Sequence, residues 1–100
     1  QAEEKGEIRR RASLVVRRTG QEACFARSVI PLSANSKEVL ADVREGVLGI
    51  GQIAVKHRIP TERRIREVNV SASQISRKYI MQGPGLYYVV TEVFPRELYR

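Results

Sequence analysis

One cysteine (Cys24) and one histidine (His57) occur among the 100 residues. A lone cysteine closes no intrachain disulfide, and that usage suits a reducing compartment, here the cytoplasm. No cluster of His, Cys and Asp stands at ligand spacing, so a protein-built zinc site is not expected. No apolar run approaches the roughly 20 residues that span a bilayer, and no membrane partner is expected. The stretch from Gln1 to Arg11 is charged and lacks the apolar region of a signal peptide. Acids are also few: 11 Asp and Glu face 18 Lys and Arg, for a net charge of +7. A surface of that sign draws anions, whether nucleic acid, acidic headgroups or small carboxylates.

The apolar share, 42%, is that of a globular chain and argues against disorder. A chain of 100 residues makes one domain with one modest core and one sheltered site. Residues 1–6 are polar and expected to fray. Alternation of Ala12, Leu14 and Val16 predicts a strand from Glu7, followed by a hairpin loop over Arg17–Gln21. Ala23–Ile30 reads as a second strand that Pro31 ends. Ser36 is a helix N-cap candidate, and Val39, Leu40, Val43 and Val47 recur at helical spacing until Gly46. A short helix is expected from about Leu48 to His57, closed by Pro60. Strands follow at Thr61–Val70, Ser76–Gln82 and Leu86–Phe94, the last two joined by the Gly83-Pro84-Gly85 turn. The order β-β-α-α-β-β-β predicts an α+β fold: a mainly antiparallel sheet with helices packed to one side.

Glu92 interrupts the most strand-like run, Leu86 to Phe94. Alternation gives it a face shared with Leu86, Tyr88, Val90 and Phe94. A carboxylate there needs a cation, a ligand hydroxyl or a proton to offset the several kcal/mol of burying a charge. An acid at a sheet edge or in solvent is the plainer reading. Arg9, Arg10 and Arg11 open the first strand, with Arg9 and Arg11 on one face and Arg10 on the other. An inward guanidinium suits a carboxylate, because its planar fork binds both oxygens. Arg63, Arg64 and Arg66 form a second, mostly solvated basic group. Gly46-Val47-Leu48-Gly49-Ile50-Gly51 lacks phosphate-loop spacing, although amides at the helix start near Leu48 could meet a carboxylate.

Four segments occur in a familiar order: Arg11-Ala12-Ser13-Leu14, Ala26-Arg27-Ser28-Val29-Ile30-Pro31, Val47-Leu48-Gly49 and Thr91-Glu92-Val93-Phe94-Pro95. Together with Arg77-Lys78-Tyr79-Ile80, they resemble the chorismate pyruvate-lyases, especially the shorter archaeal and cyanobacterial-type members. The resemblance implies a chorismate lyase-like fold. It implies cofactor-free elimination of pyruvate from chorismate to leave 4-hydroxybenzoate, a step of ubiquinone biosynthesis. It makes Arg11 the grip on the ring carboxylate, with Arg10 as fallback. The Leu48 amide, beside Gly49, would touch the same carboxylate, and Glu92 would meet the oxygen across the ring. Catalytic roles would fall to Glu92 and Arg11, and substrate binding to Arg11, Leu48, Gly49 and Glu92. Family members carry an N-terminal segment that walls the pocket, which residues 1–10 are too short to match, and Val47 stands where proline is common.

The expected partner is a small aromatic or cyclohexadienyl carboxylate. The alternative function is a non-catalytic effector-binding domain of the same fold, as in bacterial transcription regulators. Nucleic acid ranks last, since it rests on net charge alone and no recognition helix, zinc finger or RNA-binding aromatic motif is present.

Overall fold

The computed structural model describes residues 1–15 and 22–95. Along the chain come β1 (Ala2–Glu4), β2 (Glu7–Val15), β3 (Glu22–Pro31), α1 (Lys37–Glu45), α2 (Ile50–Lys56), β4 (Glu62–Val70), β5 (Gln74–Gly83) and β6 (Leu86–Pro95). The strands form one sheet in the order β1-β2-β3-β6-β5-β4, with antiparallel pairing throughout. The α+β class expected from the sequence is therefore the one observed. The loop expected at Arg17–Gln21 lies outside the described residues.

The frayed start is a correction. Ala2, Glu3 and Glu4 pair with Arg9, Ile8 and Glu7. Lys5 and Gly6 join the two strands at φ 51° and 77°. Two successive positive φ values are the pattern of a type I′ turn, whose twist matches that of paired strands. Lysine is an uncommon first residue for such a turn, so the signal was hidden in the sequence. Glu3 also binds Arg44 of α1 at 2.8 Å, which holds the added strand against the helix layer.

Local chemistry sets the helix ends. The Ser36 hydroxyl accepts the Val39 amide at 3.2 Å, and Gly46 closes α1 at φ 75°. After α2 the amides of Arg58 and Ile59 return to the carbonyls of Val55 and Ala54, a Schellman-type close with Arg58 at φ 54°. The chain then crosses beneath the β5–β6 turn. A Cβ on Gly83 would overlap the Pro60 carbonyl oxygen, so this crossing requires glycine. Asn35 fastens the other side: its amide donates to the carbonyls of Pro31 and Tyr87 and accepts the Tyr87 amide.

The core forms where the helices cover one end of the sheet. Ile8, Ile30, Leu86, Tyr88, Val90, Tyr79 and Met81 meet Val39, Leu40, Val43, Ile53 and Ala54. Each fully buried aliphatic side chain there stabilises the fold by roughly 1.5–3 kcal/mol. The far end of this face carries no helix, and Ile65, Val68 and Val70 on β4 stand 62%, 57% and 61% exposed. No described element covers the opposite face of the sheet.

Candidate ligand-binding site

Strand register assembles the site. On the helix side of the sheet, one row across the strands reads Arg10, Ser28, Val90 and Tyr79. The next row, away from the core, reads Ala12, Ala26, Glu92 and Arg77. Alternation along β2 and β6 therefore brings Arg10 and Glu92 to one face, two strands apart, roughly 10 Å across the ladder.

Arg10 is half-buried, and its Nη2 donates to the Leu48 carbonyl at 2.6 Å. Its Nη1 is buried without a hydrogen-bond partner. Leaving a buried donor unmatched costs about 1–3 kcal/mol, and more for a charged group. A cavity of about 80 Å³ lies beside it, lined by Arg10, Ala12, Ala26, Ser28, Gly49 and Ile50. Two alanines form its floor, so small side chains leave the space open.

Glu92 closes the row. Its Oε1 accepts from Arg77 Nε at 2.6 Å, with the two side chains 18% and 40% exposed. The Arg77 guanidinium also lies over the rings of Tyr79 and Phe94, 5.5 and 5.6 Å from their centroids. Its hydrogen bond to Glu92 raises its pKa above the ordinary arginine range. Glu92 is thus neither a bare buried acid nor a solvated one. It is a carboxylate held in place by a stacked arginine, with one oxygen engaged.

The other expected site residues divide. Leu48 sits over Arg10, but the contact uses its carbonyl. Gly49 lines the cavity, and its amide donates to Gln52 Oε1 at 2.8 Å. Arg11 does not share the face of Glu92. One residue along β2 from Arg10, it projects from the opposite side of the sheet and stacks over Phe25 at 5.4 Å. Among the adjacent arginines, Arg10 is the one placed with Leu48, Gly49 and Glu92.

Two features escaped the sequence reading. Arg77, the partner of Glu92, stood inside a segment valued only for its resemblance. Cross-strand pairing sets the two opposite each other, and only the register reveals it. Asp42 is buried on α1 and binds Lys56 Nζ at 2.7 Å and the His57 ring. These two hydrogen bonds, that of Lys56 first, hold its carboxyl below the usual aspartate value. Tyr88, deep in the core, keeps its hydroxyl buried without a partner. Loss of water around the phenol pushes its pKa up to about 12, against a smaller opposing pull from Arg10.

Among the described residues, no helix is long and apolar enough to cross a membrane. Comparison with known proteins finds neither a family model nor a curated protein that matches the chain.

Proposed function

We propose that the chain binds a small aromatic or cyclohexadienyl carboxylate along the lane from Arg10 to Glu92, on a chorismate lyase-like fold, and eliminates pyruvate from chorismate. The observation that carries this reading is the buried, unmatched Nη1 of Arg10 beside a cavity. A ligand carboxylate supplies the acceptor that this donor lacks. Glu92 stands across the lane to accept a ring hydroxyl, and Arg77 beside it can meet a second carboxylate. Chorismate carries those groups: two carboxylates and one hydroxyl on a ring one step from aromaticity.

The reaction breaks the bond between the ring and the enolpyruvyl oxygen. The proton leaves the hydroxyl-bearing ring carbon, the ring becomes aromatic, and the enolpyruvate released becomes pyruvate. Aromatisation supplies the driving force, so the site's task is to hold the dianion in reactive geometry and keep its charges matched. Glu92, already tied to Arg77, orients the hydroxyl. The reaction belongs to the cytoplasm and calls on no cofactor.

The engagement of Glu92 by Arg77 also favours the second reading, an effector-binding domain without chemistry, because the pair can anchor a ligand hydroxyl through hydrogen bonding alone. One experiment separates the two. The protein is incubated with chorismate while 4-hydroxybenzoate and pyruvate are measured, and calorimetry records 4-hydroxybenzoate binding. Equal amounts of both products establish the lyase. Binding without product at enzyme concentrations matching the substrate establishes the effector domain, and neither signal ends both readings.

A further inference from the structure

The face of the sheet that no helix covers has its own order. Arg11, Arg27, Thr91 and Lys78 stand side by side in one row across β2, β3, β6 and β5. Three strand spacings give this row a length of about 14 Å. Its three cations are exposed, and none forms an ion pair with a described residue. Phe25 lies in the adjacent row, with the guanidinium groups of Arg11 and Arg27 over its ring at 5.4 and 5.6 Å. Three hollows flank the row. One of about 320 Å³ borders Arg9, Arg11 and Arg27. One of about 470 Å³ borders Phe25, Arg27 and Val93. One of about 350 Å³ borders Arg66, Lys78 and Val89. The acids nearby are Glu67, in register with Lys78, and Glu7, already bound to Arg9.

We propose that this open face binds single-stranded nucleic acid, with Arg11, Arg27 and Lys78 on successive phosphates and Phe25 as the stacking ring for a base. A row of cations matches the spaced charge of a phosphate backbone, which is the main source of affinity for such ligands. Phe25, half-buried beside Arg11 and Arg27, offers a ring on which any base can stack once the two guanidinium groups turn to phosphates. The flanking hollows give unstacked bases room beside the backbone. Duplex recognition calls for a helix or narrow ribbon that enters a groove, and this broad sheet is neither. Strand alternation sends Arg11 and Arg27 to this side and Arg10 to the other, so the platform is independent of the lyase reading.

Fluorescence anisotropy with 5′-labelled dT12 and rU12 tests the proposal on the full chain. Binding is expected at micromolar affinity in low salt. The slope of log K against log salt should be about −2, as three phosphate contacts on a single strand give. Arg11→Glu, Arg27→Glu and Lys78→Glu combined should weaken binding more than tenfold, whereas Lys37→Glu with Arg58→Glu on the helix layer should leave it within about twofold. Single Arg11→Gln and Arg27→Gln variants, whose folding circular dichroism checks, should each reduce the slope by about 0.7. Phe25→Ala should weaken dT12 and rU12 but leave inorganic polyphosphate unaffected. The proposal is overturned by no binding in low salt, or by affinity that survives the triple reversal. It is also overturned if a 12-base-pair duplex, polyphosphate or anionic vesicles bind as tightly as dT12, because the face is then a general anion surface. Glu92→Gln, on the other face and lining none of the three hollows, should change none of these results, so a failed lyase assay and a failed binding assay remain distinct.

Discussion

The two ends of the helix-side face differ in what lies over them. At one end α1 and α2 seal Ile8, Ile30 and Tyr88, each at 0% exposure. At the other, Ala12, Ala26, Glu92 and Arg77 continue the same strands, and only the start of α2, at Ile50, reaches the cavity beside the two alanines. The strands are continuous, so the contrast comes from the length of the cover. Where the helices stop, β2, β3, β6 and β5 change from large apolar side chains to the row Ala12, Ala26, Glu92 and Arg77. Arg10 stands at the border, tied to Leu48 on the covered side and beside the cavity on the other. The sealed end supplies rigidity, and the candidate site begins where sealing ends.

The largest effect should come from breaking the sealed end. Tyr88→Ala is expected to cost about 3–5 kcal/mol, enough to unfold much of the population, as read by urea or thermal melts. Tyr88→Phe should be neutral or stabilising by up to about 1 kcal/mol, because it removes a buried hydroxyl without a partner. A Phe variant as damaged as the Ala variant would show that the hydroxyl has a role in the folded state. At the border, Arg10→Ala should reduce chorismate turnover about 100-fold, near 2.7 kcal/mol in the barrier, and Arg11→Ala less than about twofold. The reverse order would move the site to the other face of the sheet.

A smaller effect follows from pH. The folded Asp42 carboxyl lies below its ordinary value of 3.8 because Lys56 and His57 bond its ionised form. The unfolded chain therefore takes up this proton first on acidification. The Asp42 contribution is complete above the unfolded value and is lost as pH falls through the lower, folded one. Asp42→Asn should melt earlier at neutral pH and lose less on acidification below about pH 4. An unchanged slope of melting temperature against pH would remove Asp42 from the account. Smallest of all, Ile65→Thr at the uncovered end should change stability by no more than about 0.5 kcal/mol.

Periodicity and punctuation made most of the fold legible. Gly83-Pro84-Gly85 marked a turn, Ser36 a cap and Gly46 a helix end, because each acts through its own backbone. The turn at Lys5–Gly6 was missed because its first residue is atypical. The site was legible only in part. Alternation separates Arg10 from Arg11 in principle, but resemblance favoured Arg11, and the sequence alone does not tell which face the helices cover. The Arg77–Glu92 pair depends on strand register, and the Asp42–Lys56–His57 group depends on how two helices pack. Both come from contacts between elements, which local pattern does not encode.

β4 is hydrogen-bonded to a neighbour along one side only, and all nine of its residues are exposed. Such a strand opens without disturbing the core beneath the helices. Amide protons of β4 should therefore exchange with solvent well before those of β3 and β6, giving the sheet a graded lifetime from its centre outward. Arg77 pairs with Val68 of that strand on one side and with Glu92 on the other. The Glu92 ion pair accordingly joins β5, one strand in from the edge where exchange is expected to be fastest, to β6 in the slow centre of the sheet.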